Sequence, residues 1–88
     1  MPEQTDGVTE AEQQTKQFMT DLATSDVDVR DISGREPDDI IGWGVEADAP
    51  YDEWVFATLD NIASDHGFVM TDTIGAPHGR ATVVFERY

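Results

Sequence analysis

Ala11, Thr15, Phe18, Met19 and Leu22 recur at helical spacing and fall on one face, which predicts an amphipathic helix reaching about Thr24. Thr9 followed by Glu12 forms a capping box ahead of it, in which each end satisfies a free backbone N–H of the first turn. Residues 1–8 read as a flexible acidic leader, and residues 9–88 as a single domain. The period then changes to two. In SDVDVRDIS, 25–33, Val27 and Val29 alternate with Asp28 and Arg30, as in a strand with one wet side. GREPDD, 34–39, is a turn segment, and IIGWGVEA, 40–47, is the second strand. Pro50 opens a second helix, where Val55, Leu59 and Ile62 recur with Phe56 and Ala63 beside them. Trp54, at the edge of that apolar arc, is expected to complete the core. His66 and Gly67 close the helix, the glycine suiting a left-handed position and the histidine the negative end of the dipole. FVMTDTI, 68–74, is strand three, GAPHG, 75–79, a turn, and RATVVFERY, 80–88, strand four.

Two helix–hairpin units give an α+β fold: an αββαββ two-layer sandwich, with a four-stranded, mainly antiparallel sheet and two helices on one face. RDISG and TDTIG stand in comparable places of the two units, a match too short to establish duplication. The order resembles a ferredoxin-like domain whose first strand has moved to the C-terminus, a permuted ferredoxin-like topology. Right-handed crossovers then place the strands in the order three, four, two, one. Composition agrees, because strands two and four, expected at the centre, are the most apolar. The expected edges carry DVDVRD and TDT, whose charges and threonines discourage edge pairing.

Alternation assigns Val27, Val29, Ile41, Trp43, Val45, Ala47, Phe68, Met70, Ala81, Val83 and Phe85 to the side covered by helices. The open side receives Asp28, Arg30, Ile40, Gly42, Gly44, Glu46, Val69, Thr71, Thr73, Arg80, Thr82, Val84, Glu86 and Tyr88. Gly42 and Gly44 would thus leave a shallow trough on a central strand, over a buried Trp43. Glycine in a strand most often marks a bulge or twist, and that reading comes first. The alternative is a ligand or a second chain approaching the backbone there. The candidate ligand- or partner-binding residues are Gly42, Gly44, His78, Arg80, Thr82, Val84 and Tyr88.

Charge qualifies what this surface could meet. Nineteen Asp and Glu face five Lys and Arg, for a formal net charge of -14, and Lys16 is the sole lysine. The acidic residues are spread through periodic segments, unlike a disordered acidic tail. Such a surplus repels itself in dilute buffer, whereas at molar salt the Debye length falls to about 3 Å. The aspartate-rich, lysine-poor composition resembles that of proteins from salt-accumulating archaea. Without cysteine there is neither a disulfide framework nor a thiolate zinc site. The polar N-terminus is unlike a signal peptide, and no apolar run approaches a membrane span. A soluble, cytoplasmic chain without membrane contact is expected.

Ser64, Asp65 and His66 are triad types in a row, but helix neighbours one or two apart do not face each other, so they cannot form a relay. His66 and His78 bracket strand three, whose extended rise would part them by roughly 25 Å. DVDVRD, 26–31, superficially resembles a calcium loop, yet Arg30 stands where an oxygen ligand belongs and Asp31 where glycine is needed. Asp38 and Asp39 lack a third ligand nearby. GAPHGR offers backbone N–H groups, His78 and Arg80 to an anion, although a tight turn explains it as well. No enzyme activity, cofactor or metal is expected. Nucleic acid is not expected either, because the open face lacks stacked aromatics in a basic field. A register slipped by one residue would display Trp43, Phe68 and Phe85 and reverse that reading. The chain therefore reads as a non-enzymatic module that binds a protein partner or itself. The alternative is a small-ligand or regulatory domain using the open face and the 75–79 turn.

Overall fold

A computed structural model describes residues 7–37 and 42–88 of the chain. It contains α1 (Gly7–Ala23), β1 (Arg30–Arg35), β2 (Gly44–Pro50), α2 (Glu53–Asp65), β3 (Phe68–Ala76) and β4 (Arg80–Arg87). All neighbouring strands pair antiparallel in the order β1-β2-β4-β3, so the central and edge strands are those expected from composition. The fold is the αββαββ two-layer sandwich, an α+β architecture.

The core lies between the helices and one sheet face. Phe18 and Leu22 of α1 and Val55, Leu59 and Ala63 of α2 meet Val45, Ala49, Phe68, Val83 and Phe85 from the sheet. Phe18 is central: its ring stands 4.7 Å from Phe68 and meets Phe85 edge-on at 5.0 Å. The T-shaped pair sets the positive edge of one ring against the negative face of the other, adding to the burial of apolar area. Thr15 is buried on the same helix, and its hydroxyl donates to the Ala11 carbonyl at 2.8 Å. That intrahelical bond satisfies a polar group which would otherwise oppose its own burial.

Several boundaries differ from the sequence reading. α1 begins at Gly7, ahead of Thr9, so the Thr9–Glu12 box is not its first turn. Gly7 and Val8 of the expected leader are helical, while residues 1–6 lie outside the described residues, as do Asp38, Asp39, Ile40 and Ile41. Strand one starts at Arg30 rather than 25, with Val27 buried from the preceding loop. Strand two runs Gly44–Pro50, so Pro50 ends a strand instead of opening a helix. The pattern Val45, Ala47, Ala49 carries that strand onward, and the small alanines hid its apolar face. α2 begins after Asp52, whose carboxylate accepts the Trp54 N–H at 2.8 Å as an N-cap. Trp54 is 63% exposed, outside the core, because it sits past the edge of the arc made by Val55, Leu59 and Ala63.

The helix end is as expected. His66 is the C-cap of α2, and Gly67 takes φ +78, a left-handed conformation. His66 Nε2 lies 2.6 Å from Asp21 Oδ2 on α1. Gln14 joins the same corner, donating to the His66 carbonyl and accepting from Arg87 Nε at 2.8 Å. This polar clasp ties both helices to the end of β4.

Two bulges set the faces. In β1 the pairing shifts between Arg30 and Ser33, with Asp31 at φ 53. The shift turns Ile32 toward the helices, where it packs against the core. In β3 the pairing shifts between Met70 and Asp72. Beyond it Asp72 stands opposite Val84 and Ile74 opposite Thr82, on the open face, while Thr73 crosses to the helix side opposite Val83. Strict alternation puts Thr73 on the open face and leaves Ile74 off it, and the extra residue at the bulge exchanges the two.

Candidate interaction face on the open side of the sheet

The expected glycine trough is not formed. Gly42 precedes β2 and is exposed, with nothing within 4 Å of where a Cβ would project. Trp43 also precedes the strand and is half-buried instead of lying in the core. It borders a cleft of about 220 Å³ with Thr15, Lys16 and Met19 of α1. Gly44 is buried, because the Arg35 guanidinium lies across it. A Cβ there would meet Arg35 Nη2 at 2.6 Å and the Phe85 carbonyl at 3.0 Å. Arg35 stands opposite Gly44 in the ladder and donates from Nη2 to the Gly42 carbonyl at 3.1 Å. The absent side chain at Gly44 is room for an arginine of this same chain.

Arg80 is also committed. Its Nε donates to Asp48 Oδ2 at 2.7 Å and its Nη1 to Asp28 Oδ2 at 3.2 Å. Its Nη2 donates to the Asp28 and Asp48 carbonyls at 2.8 and 3.2 Å. Arg30 grips the same Asp28 carboxylate through Nε at 3.1 Å and Nη2 at 2.9 Å. The hydrogen bond from Arg30 lowers the Asp28 pKa; burial opposes this, and the Arg80 charge adds to the lowering. The Arg80 guanidinium is pushed above its usual value, first by its bond to Asp48. The network fastens the loop before β1 to the end of β2 and β4. The segment with calcium-loop appearance is thus a carboxylate held by two arginines.

The turn residues do not converge on an anion. His78 and Gly79 take left-handed φ of 67 and 71, and His78 is exposed. The Gly79 carbonyl accepts the Tyr51 N–H at 2.9 Å, and Arg80 points to its carboxylates. Among the described residues no group of three His, Asp or Glu is placed to hold a metal.

Thr82, Val84 and Tyr88 remain on the open face, and the register adds neighbours to them. Val69 stands opposite Glu86, and Ile74 opposite Thr82. Tyr88, Val69, Val84 and Ile74 therefore step diagonally along the β3–β4 seam, within side-chain reach of one another. Tyr88 is 76% exposed, Ile74 51% and Val69 44%, with Val84 half-buried between them. Glu46 and Asp72 flank Val84 on its two sides, and Glu86 follows on β4. Ile74 and Asp72 were missed from sequence because the β3 bulge has no signal in the alternation. Phe68 and Phe85 are fully covered by the helices, so the slipped register that would display aromatics to RNA does not occur.

No helix among the described residues is long and apolar enough to cross a membrane. Neither a scan of protein-family models nor comparisons with curated proteins and with solved structures finds a match for this chain.

Proposed function

We propose that the chain is a non-enzymatic protein-interaction or assembly module, adapted to a salt-rich cytoplasm, working through the open face of its sheet. The observation that carries this reading is the stripe Tyr88–Val69–Val84–Ile74, left bare because both helices pack on the opposite face. Contiguous exposed apolar positions rimmed by polar residues are what an interface core requires. Two of the groups that might have done chemistry are occupied structurally, His66 by Asp21 and Arg80 by Asp28 and Asp48, while His78 stands exposed on a turn with no second catalytic group beside it among the described residues. That supports binding over catalysis.

Immobilised protein in molar KCl is expected to retain a partner from a lysate of the cells that make it. Val69→Ser/Ile74→Ser protein, folded by amide dispersion, is expected to lose that partner. Equal retention by both proteins, or none by either, would overturn the reading.

A further inference from the structure

We infer that the occupant of the open face is a basic segment of a different protein, with apolar side chains for the stripe and Lys or Arg beside them. The inference rests on the interaction reading above and adds the partner's chemistry. Apolar residues alone do not choose between a second copy and another chain; charge does. The stripe is interleaved with Glu46, Asp72 and Glu86, and none of the three has an ion pair among the described residues. Two of the three cations on the same face are already paired with carboxylates, and the third is folded onto the backbone. Arg30 and Arg80 are held by Asp28 and Asp48, and Arg35 lies over Gly44.

A second copy laid on this face would bring Glu46, Asp72 and Glu86 against the same three carboxylates, with Arg35, folded across Gly44, the one cation on the face outside an ion pair among the described residues. Like charges brought together across an interface oppose that pairing, and opposite charges select the partner. The total charge of -14 acts the same way at longer range. A basic, apolar segment instead covers Val69, Val84 and Ile74 while its cations meet the three carboxylates. Affinity then comes from the apolar anchors and partner choice from the charges.

The test uses the full chain, isotope-labelled, in the lowest KCl that keeps it folded. Three short synthetic peptides of equal length are added: one alternating Val with Lys, one alternating Ser with Lys, and one alternating Val with Glu. The Val–Lys peptide is expected to shift the amides of Val69, Asp72, Ile74, Val84 and Glu86 saturably. The Ser–Lys peptide should bind at least about tenfold more weakly, and the Val–Glu peptide should leave these amides unmoved. Val69→Ser/Ile74→Ser should weaken the Val–Lys peptide by about tenfold or more. Equal binding of the two Lys peptides, or of the variant, would reduce the effect to general charge attraction and overturn the inference. Concentration-dependent shifts of the stripe without peptide would assign the face to a second copy and also overturn it. If no peptide moves the stripe while lysate capture still depends on Val69 and Ile74, the interaction reading stands and the basic partner falls.

Discussion

Arg35 and Gly44 form one unit, because the missing side chain of one makes room for the guanidinium of the other. At Gly67 the requirement is the backbone itself. With φ +78 and Gln14 close to where a Cβ would project, Gly67→Ala should destabilise by about 1 kcal/mol or more, read from urea unfolding. Phe18 joins α1 to the sheet through Phe68 and Phe85. Phe18→Ala is expected to cost about 3–5 kcal/mol in the same measurement, through lost burial and the cavity left behind. Asp28 gives a pH signature. Its folded pKa lies below the ordinary aspartate value near 3.8, so the carboxylate's contribution is fully present above that value. It is lost as pH falls through the lower, folded pKa. Thermal melts of wild type and Asp28→Asn should therefore differ by a constant amount at neutral pH and converge only below about pH 3.8.

Each strand has two faces with different energetic roles, and the bulges decide which residue takes which. Val83 of β4 is fully buried in the core, whereas Ile74 of β3 projects into solvent beyond the bulge. Val83→Ala should cost about 2 kcal/mol. Ile74→Ser should change stability by no more than about 0.5 kcal/mol, as surface substitutions do. A large loss at Ile74 would mean that the face is already covered in the free protein. Helix α2 shows the same division. Val55, Leu59 and Ala63 hold it to the sheet, and Trp54 stands outside their arc despite its size.

The whole molecule carries its charge unevenly compensated. Four described pairs join a carboxylate to Lys16, Arg30 or Arg80, and among the described residues only Glu12, Asp28 and Asp48 meet a Lys or Arg in this way, in a chain of nineteen acidic residues and five Lys and Arg. Screening should therefore favour the compact state. Thermal midpoints are expected to rise steadily between dilute and molar KCl, and an unchanged midpoint would refute salt adaptation. The same screening weakens the charge part of partner recognition but leaves the apolar stripe. A partner working at high salt would depend chiefly on Val69, Val84 and Ile74.

Element types, their order and the placing of strands were legible in the chain because they follow from periodicity. Phe18 and Leu22 repeat as a helix face, Val83 and Phe85 as a strand face, and the most apolar strands belong at the centre. Gly67 after His66 marked a helix end for the same local reason. The faces beyond the bulges were not legible. One extra residue reverses every later position, and neither Asp31 nor Thr71 announces it in alternation. Nor could periodicity show that Arg35 lies over Gly44, or that Arg80 and Arg30 share Asp28. Those pairings bring together residues from different elements, and their geometry exists only once the sheet has closed. The candidate site followed the same rule. Val84 and Tyr88 could be placed on it by alternation, but the stripe they form with Ile74, and the removal of Gly44 and Arg80 from it, are consequences of packing.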